Sequence, residues 1–178
     1  FGYFKYDNMD EYAYTSNNFK TGEEETALPS FVNYVDGIYV GYRFYETAAA
    51  EGLINYDDTV VYPFGYGLSY TTFTQEMGAI SEDNGTISFD VTVTNTGDVA
   101  GKDVVEVYYN PPYTNGGIEK ASANLIQFEK TEVLQPGDSQ TITVSFDAED
   151  MASYDTYGAG CYVLEAGDYQ ISINSDSH

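Results

Sequence analysis

Tryptophan is absent from this chain, and cysteine and histidine occur once each, as Cys161 and His178. A single cysteine excludes an intrachain disulfide and a zinc site made of several thiolates. Cys161 begins an apolar run without a basic neighbour to activate the thiol, so we expect a small buried strand residue. His178 is the last residue of the sequence, where we expect fraying, and this argues against Ser-His or Cys-His catalysis.

Basic residues are also scarce. Six Lys and Arg residues stand against 29 Asp and Glu residues, which gives a formal net charge of −23 at pH 7. This charge repels phosphate backbones and anionic lipid surfaces, so we expect neither nucleic acid nor membrane as a partner. No apolar run reaches the length of a membrane span, and the amino terminus lacks the basic and then apolar pattern of a signal peptide.

The sequence also lacks the ligand spacing of a metal site. Acidic clusters at Ser81–Gly85 and Asp147–Asp150 supply oxygen atoms suited to Ca²⁺, but neither has the spacing of a calcium-binding loop. We therefore predict no metal and no cofactor. The chain begins at Phe1 without a methionine, as though cut from a longer polypeptide, so its location, secreted or cytoplasmic, stays open.

Aromatic residues are abundant in the amino-terminal part, where neither a strand nor a helix period is sustained. For Phe1–Lys20 the alternatives are a sugar-stacking platform and a covering layer over another domain, and we favour the covering layer. Beta-forming residues predict a strand pair or an extended segment near Ile38–Tyr45, then a short helix over Thr47–Glu51 that Gly52 ends. Arg43, the only arginine, is predicted to form a structural ion pair, with a substrate contact as the alternative.

The stretch Val60–Phe73 contains aromatics, two glycines and a proline but no charged residue, in a chain otherwise rich in carboxylates. Pro63 blocks strand pairing, while Gly65 and Gly67 permit tight turns or close backbone approach. We predict that this stretch forms a buried seam between two domains.

Short alternating strands follow from Phe73 onward, separated by turn residues every eight to twelve positions. This pattern predicts a mainly β chain with an immunoglobulin-like or fibronectin type III-like β-sandwich. The residues predicted to lie mostly in its core are Phe89, Val91, Val93, Val105, Ile142, Val144 and Ile171. The long loop Pro111–Lys120 interrupts the strands, and it either approaches bound sugar through Tyr113 and Asn115 or packs on a neighbouring domain, which we favour.

Two blocks of sequence carry a family resemblance. Tyr62–Phe73 reads YPFGYGLSYTTF, and it resembles the signature that ends the second catalytic domain of family three glycoside hydrolases, the β-glucosidase-type enzymes. Asn33–Glu46 reads NYVDGIYVGYRFYE, and it is similar to a second block of that family at the expected distance upstream. Asp150–Asp155 and Asn174–His178 resemble family members with reversed domain order, in which the barrel follows the fibronectin-like domain.

The resemblance implies a division of the chain into two parts. Residues 1–70 would be an irregular, Tyr-rich terminal segment of an α/β sandwich domain, and residues 71–178 a fibronectin type III-like domain. It also implies an aspartate nucleophile in a Ser-Asp-Trp motif on a TIM-type barrel and a glutamate acid/base upstream. Because the chain has no tryptophan, that nucleophile motif is missing, and we assign no catalytic residue.

The expected function is therefore that of a non-catalytic, domain-docking segment of a hydrolase acting on β-glucosides or short oligosaccharides. The alternative is a free-standing carbohydrate-binding or adhesion module. Expected partners are the missing TIM-type barrel, the rest of the α/β domain and a β-linked sugar. Candidate residues at the domain interface or close to substrate are Arg43, Tyr45, Phe64, Tyr66, Tyr70, Tyr113 and Asn115.

Overall fold

Two short helices precede the strands in the computed structural model, which describes residues 37–178. Helix α1 (Tyr42–Ala50) begins five residues earlier than predicted, so the extended segment expected near Ile38–Tyr45 is wrong from Tyr42 onward. Its end agrees with the prediction, because Gly52 has a φ of +70° and its N–H donates to Ala49 O in a Schellman-type cap. Helix α2 (Tyr56–Thr59) is a single turn. The predictions for Phe1–Lys20 lie outside the described residues.

Nine strands follow, and most of them form two antiparallel sheets. In the first sheet β3 (Thr86–Asn95) pairs with β6 (Ser139–Asp147) on one side and with β1 (Phe73–Met77) and β2 (Ser81–Asp83) on the other. The second sheet has the order β5 (Asn124–Lys130), β4 (Val104–Asn110), β9 (Gln170–Asn174). The short strands β7 (Ser153–Tyr154) and β8 (Tyr162–Val163) form a separate hairpin, which follows a 3-10 helix at Ala148–Met151.

The core lies between the two sheets, and the predicted strand faces are confirmed. Along β3 the residues Ile87, Phe89, Val91 and Val93 are all buried, whereas the alternate positions are exposed or half-buried. Val105, Ile142 and Val144 are also buried, and Ile171 is half-buried against this cluster. Alternation of period two therefore identified the interior faces of β3 and β6 correctly.

Turn chemistry agrees with the sequence at one end of the first sheet. The Asp138 N–H donates to Gln135 O at 2.9 Å, with Pro136 and Gly137 between them and a φ of +83° at Gly137. Proline followed by glycine suits a type II turn, because the second central residue must have positive φ. A further hairpin turn at Asn84–Gly85, with φ of 52° and 88°, joins β2 to β3 and was not predicted.

Two single residues, Cys161 and His178, differ from expectation. Cys161 is exposed and lies just before the two-residue strand β8, so the expected buried strand position is wrong. The fraying expected at His178 is also wrong, because its imidazole ring stacks on Tyr56 with a centroid distance of 3.6 Å and an interplanar angle of 2°. The order at His178 arises from contacts with residues distant in sequence, which local patterns do not report.

Candidate functional site

The outer face of the second sheet is covered by the segment that precedes β1. The key contacts form a cluster of Glu46 on α1, Tyr56 on α2, and Ser177 and His178 after β9, which we call the Glu46 cluster. Ser177 Oγ donates to Glu46 Oε1 at 2.9 Å, and His178 Nδ1 lies 3.0 Å from Glu46 Oε2. Glu46 is 8% exposed, so these contacts supply the polar partners that a buried carboxylate requires.

Burial also acts on the phenol of this cluster. Tyr56 is buried, and loss of water around the hydroxyl, together with its hydrogen bond to Glu46, raises the pKa of Tyr56 well above its usual value. The phenol therefore stays protonated and acts as a hydrogen-bond donor to a carboxylate at all ordinary pH values. The Glu46 cluster is thus a structural joint between the helices and the end of the sandwich.

Aromatic stacking continues this joint along the sheet. The ring of Tyr42 on α1 stacks on Phe64 with centroids 4.7 Å apart, and it meets Tyr108 of β4 edge-on at 6.1 Å. Two backbone contacts fix the same arrangement, since the Leu125 N–H donates to Tyr42 Oη at 2.8 Å and the Ser177 N–H donates to Phe64 O at 2.8 Å. As a result Tyr108 is almost fully buried although it points away from the sandwich core.

The carboxyl group of Glu106 on β4 lies against Gly65 of the uncharged stretch. Gly65 has a φ of +89°, and a Cβ built there would lie 2.3 Å from Glu106 Oε2 of β4. Burial raises the pKa of Glu106, the Asp176 charge raises it further, and the hydrogen bond that Tyr108 Oη donates at 2.6 Å acts in the opposite direction. The backbone conformation therefore favours glycine strongly at this position, and an added Cβ would also displace the Glu106 carboxyl group.

The rest of the uncharged stretch differs from the prediction of a buried seam. Val61, Leu68 and Tyr70 are 83%, 90% and 98% exposed, and Tyr62 and Tyr66 contact each other at 4.9 Å. The part around Phe64 is docked on the second sheet, and Thr71–Phe73 at the end of the stretch are joined to the first sheet. The stretch was predicted to be buried because it has no charge, but in this chain its second half presents apolar side chains to solvent.

The loop between β4 and β5, residues 111–123, packs against the same segment. Tyr39 Oη donates to Glu119 Oε2, and the Ser122 N–H donates to Thr47 Oγ1 on α1 at 2.9 Å. Lys120 is buried, where its ammonium group donates to Pro112 O at 2.6 Å and forms an ion pair with Glu165. These contacts agree with the interpretation of the loop as a packing element.

The predicted candidate residues lie in three places. Arg43 and Tyr45 are half-buried on α1, Phe64, Tyr66 and Tyr70 follow on the uncharged stretch, and Tyr113 and Asn115 lie on the exposed part of the β4–β5 loop. Within residues 37–178 no hydrogen bond, ion pair or ring contact joins the uncharged stretch to Tyr113 or Asn115.

Arg43 has no carboxylate ion pair within that same part of the chain. Its charge lies near Tyr109, where it opposes the rise in the pKa of Tyr109 that burial causes. The predicted ion pair of Arg43 is therefore not formed with any described acid. The residues that sequence reasoning missed are those of the Glu46 cluster together with Glu106 and Tyr108. The sequence pattern could have identified Glu106 and Tyr108, because they alternate with the core residues of β4 and so lie on its outer face.

No group of three or more His, Cys, Asp or Glu side chains among residues 37–178 is arranged to hold a metal ion. In that range, too, no helix has the length and apolar character that crossing a bilayer requires. Both central carboxyl groups, Glu46 and Glu106, accept internal hydrogen bonds. This arrangement is suited to holding segments together.

Comparison with known proteins finds one matching domain family and a set of similar β-glucosidases. A model of the fibronectin type III-like domain matches residues 103–177. β-Glucosidase A of Butyrivibrio fibrisolvens is 39% identical over 163 residues, covering 82% of this chain and 19% of the relative. A β-glucosidase of Ruminococcus albus is 42% identical over 147 residues, covering 80% of this chain and 14% of the relative.

Solved structures give the same result. A β-glucosidase from Paenibacillus barengoltzii matches with a TM-score of 0.70 at 38% identity, covering 94% of this chain and 17% of that chain. A family three β-glucosidase from Bifidobacterium adolescentis matches with a TM-score of 0.69 at 32% identity, covering 92% of this chain and 22% of that chain. The chain spans less than a quarter of the length of each of these relatives. It belongs to the family three glycoside hydrolases and corresponds to the segment of these β-glucosidase-type proteins that contains the fibronectin type III-like domain.

Proposed function

We propose that this chain is a non-catalytic, domain-docking segment of a hydrolase that acts on β-glucosides or short oligosaccharides. The observation that carries the proposal is the asymmetry of the Val60–Phe73 stretch. Its Phe64 side is fixed on the sandwich, whereas Leu68 and Tyr70 are 90% and 98% exposed. A contiguous exposed apolar segment of this kind is typical of an interaction surface.

The partner that fits this surface is the rest of the parent hydrolase, namely a TIM-type barrel and the remainder of an α/β domain. In this proposal the domain boundary lies at residues 70 and 71, so that α1, α2 and the uncharged stretch belong to the α/β domain. Arg43, Tyr45, Phe64, Tyr66 and Tyr70 then lie at the interface between domains. Tyr113 and Asn115 lie on the exposed loop, closer to substrate.

A chimera tests the docking role directly. Residues 38–178 replace the matching segment of the Paenibacillus barengoltzii β-glucosidase, and hydrolysis of an aryl β-glucoside is measured for the chimera and for this chain alone. We expect turnover by the chimera and none by the chain. Leu68→Ser with Tyr70→Ser should reduce the chimera's activity at least tenfold, whereas Tyr157→Ser, at a 96% exposed position outside the stretch, should not.

Turnover by the purified chain that survives repurification would contradict the non-catalytic assignment. A chimera that remains fully active with both serine substitutions would contradict the docking role of the exposed residues. The two results are independent, because the first concerns chemistry and the second concerns the interface.

The β7–β8 hairpin favours a second candidate, a carbohydrate-binding or adhesion module. Tyr154 and Tyr162 pair across its strands with centroids 5.3 Å apart, and Tyr157 at the tip is 96% exposed. The loop is ordered, since Asp155 accepts hydrogen bonds from the N–H groups of Gly158 and Ala159, which lower the pKa of its carboxyl group. Exposed aromatic rings of this kind can stack on sugar rings.

Calorimetric titration with cellobiose and longer β-glucans separates the two candidates. A module that uses the hairpin should bind longer glucans more tightly than cellobiose and lose this gain in Tyr157→Ala. A docking segment should show no increase in affinity with glucan length.

A further inference from the structure

An open cavity of about 350 Å³ lies between helix α1 and the outer face of the β4–β9 strand pair. It is separate from the exposed half of the uncharged stretch. The residues that line it come from α1, from β4 and β9, from the end of the β4–β5 loop and from the last two positions. They include Glu46, Ala49 and Ala50 on the helix side and Asn110, Ser172 and Asn174 on the strand side.

The cavity follows from the spacing of small residues on the helix. Glu46, Ala49 and Ala50 are at positions i, i+3 and i+4, so they share the face of α1 that meets the sheet. Alanine side chains are too short to fill the space above the strands. On the sheet side Ser172 pairs with Tyr108 and lies on the face opposite to the sandwich core. The fold therefore leaves room where a larger helix residue would pack.

Half of the polar side chains around this space, four of eight, have no hydrogen-bond partner among residues 37–178. The side chains of Asn110, Ser122, Ser172 and Asn174 make no hydrogen bond with any residue between 37 and 178, and the last three are half-buried. Serine hydroxyls and asparagine amides each offer both donors and acceptors. Half-buried polar groups without partners are satisfied by water or by a ligand.

The charge of the lining selects the kind of ligand. No lysine or arginine lines the cavity, and the carboxylate of Glu46 lies at one end beside His178. An anionic ligand would therefore meet the Glu46 carboxylate, whose one basic neighbour in the lining, His178, already contacts it at 3.0 Å. The volume falls at the lower end of the range of small-molecule sites. Three alanines supply apolar wall against which the C–H groups of a sugar ring can pack.

We propose that this cavity binds a neutral polyol of monosaccharide size, with its hydroxyl groups bonded to the serine and asparagine side chains. The proposal does not depend on the role of the parent protein as a β-glucosidase, because it rests on residues of this chain alone. The proposed binding site is separate from the tyrosines of the β7–β8 hairpin, which do not line the cavity.

Titration of the isotope-labelled 178-residue chain with D-glucose, followed by amide resonances, tests the proposal. We expect saturable shifts at Ser172, Asn174 and Ala49 with a dissociation constant of about 1 mM, which corresponds to about −4 kcal/mol. D-Glucuronate, which differs by a carboxylate, should bind at least tenfold more weakly. Cellobiose should bind no more tightly than glucose, in contrast to the length dependence expected of the hairpin.

Two variants locate the binding. Ala49→Leu places a larger side chain in the cavity and should weaken glucose binding at least tenfold. Ser172→Ala removes one hydroxyl and should weaken it about two- to tenfold, the range expected for one hydrogen bond. The matched controls are Ala100→Leu and Ser145→Ala at exposed positions outside the cavity, and they should bind like the unmodified chain.

Absence of saturable shifts at Ser172 and Asn174 would overturn the proposal. Saturable binding that neither Ala49→Leu nor Ser172→Ala weakens would overturn it as well, because the sugar would then occupy another place. If Ala49→Leu does not fold, Ser172→Ala decides the question by itself. None of these results bears on hydrolysis by the chimera.

Discussion

The sandwich and the segment of residues 38–70 are held in place by different kinds of contact. In the sandwich β3 pairs with β6 over the whole range from Thr86 to Thr94, and one side of each long strand is apolar. The segment 38–70 contributes no strand to either sheet. It is attached by stacked rings and by hydrogen bonds to side chains, chiefly at Tyr42, Glu46 and Phe64.

This difference separates self-sufficient structure from structure adapted to a partner. Val91 and Val93 of β3 are fully buried, while Leu68 and Tyr70 in the segment are almost fully exposed. The apolar side chains on the inner faces of the sandwich are covered within the chain, whereas Leu68 and Tyr70 of the uncharged stretch are not. The following predictions test this contrast, in order of decreasing effect.

Core truncation should have the largest effect. Ile142→Ala removes a buried side chain from the cluster between the sheets, and we expect the free energy of unfolding to fall by about 2–5 kcal/mol. Val133→Ala, at a position that is 53% exposed, is the control and should change it by less than about 0.5 kcal/mol. Urea denaturation measures both. Equal stability of the two variants would show that the strand faces are assigned wrongly.

Glycine substitution in the uncharged stretch should have an intermediate effect. Gly65→Ala introduces a Cβ at positive φ and against Glu106, so we expect a loss of roughly 1–3 kcal/mol in the docking of this stretch. Gly67→Ala is the matched control, because a Cβ there meets only Gly65 O at 3.9 Å. Hydrogen exchange at Tyr66 and Ser177 reports the docking. Adding Glu106→Ala to Gly65→Ala should restore part of the protection, since it removes the clash but leaves the strain.

Sequence patterns predicted the sandwich better than the site because the two depend on different information. The alternation of Ile87, Phe89, Val91 and Val93 identifies a buried face without any knowledge of its partner. Turn positions such as Pro136 and Gly137 are equally local. The family resemblance that Tyr62–Phe73 carries was also recognisable from sequence, and the related β-glucosidases confirm the family.

The Glu46 cluster was not predictable in this way, because it joins residues 131 positions apart. The pattern around Glu46 shows only a helix-forming run, and Ser177 and His178 resemble a frayed end. The exposure of Leu68 and Tyr70 was mispredicted for a related physical reason. The absence of charge in a segment indicates that the segment is buried against other residues. It does not show whether those residues belong to the same chain.

Removing a single charge should have a smaller, pH-dependent effect. The pKa of Glu106 is raised chiefly by burial, so its ionisation is less favourable in the folded chain than in the unfolded one. The stability that the protonated Glu106 carboxyl group contributes to the folded chain is fully present below the ordinary pKa of 4.5. It is lost as the pH rises through the raised pKa. Glu106→Gln should therefore match the unmodified chain at pH 4 and melt at a higher temperature at pH 7.

The exposed Glu129→Gln is the control for this pH dependence and should leave the difference between pH 4 and pH 7 unchanged. An increase in stability of Glu106→Gln at pH 4 that disappears at pH 7 would reverse the sign and contradict the assignment. Thermal melts at both pH values, recorded with the same buffer ions, provide the measurement.

The smallest effect on stability is expected where exposure is greatest. Leu68→Ser with Tyr70→Ser should change the free energy of unfolding by less than about 0.5 kcal/mol, because these side chains have almost no contact to lose within the chain. The same pair should lower the fluorescence of a bound hydrophobic dye, since it removes the two most exposed apolar side chains of the stretch. Tyr157→Ser is the control at a similarly exposed tyrosine and should lower the dye signal less. A loss of more than about 1 kcal/mol in the double variant would show that Leu68 and Tyr70 pack within this chain in solution. The contrast between a self-sufficient sandwich and a partner-dependent stretch would then be lost, and the docking role with it.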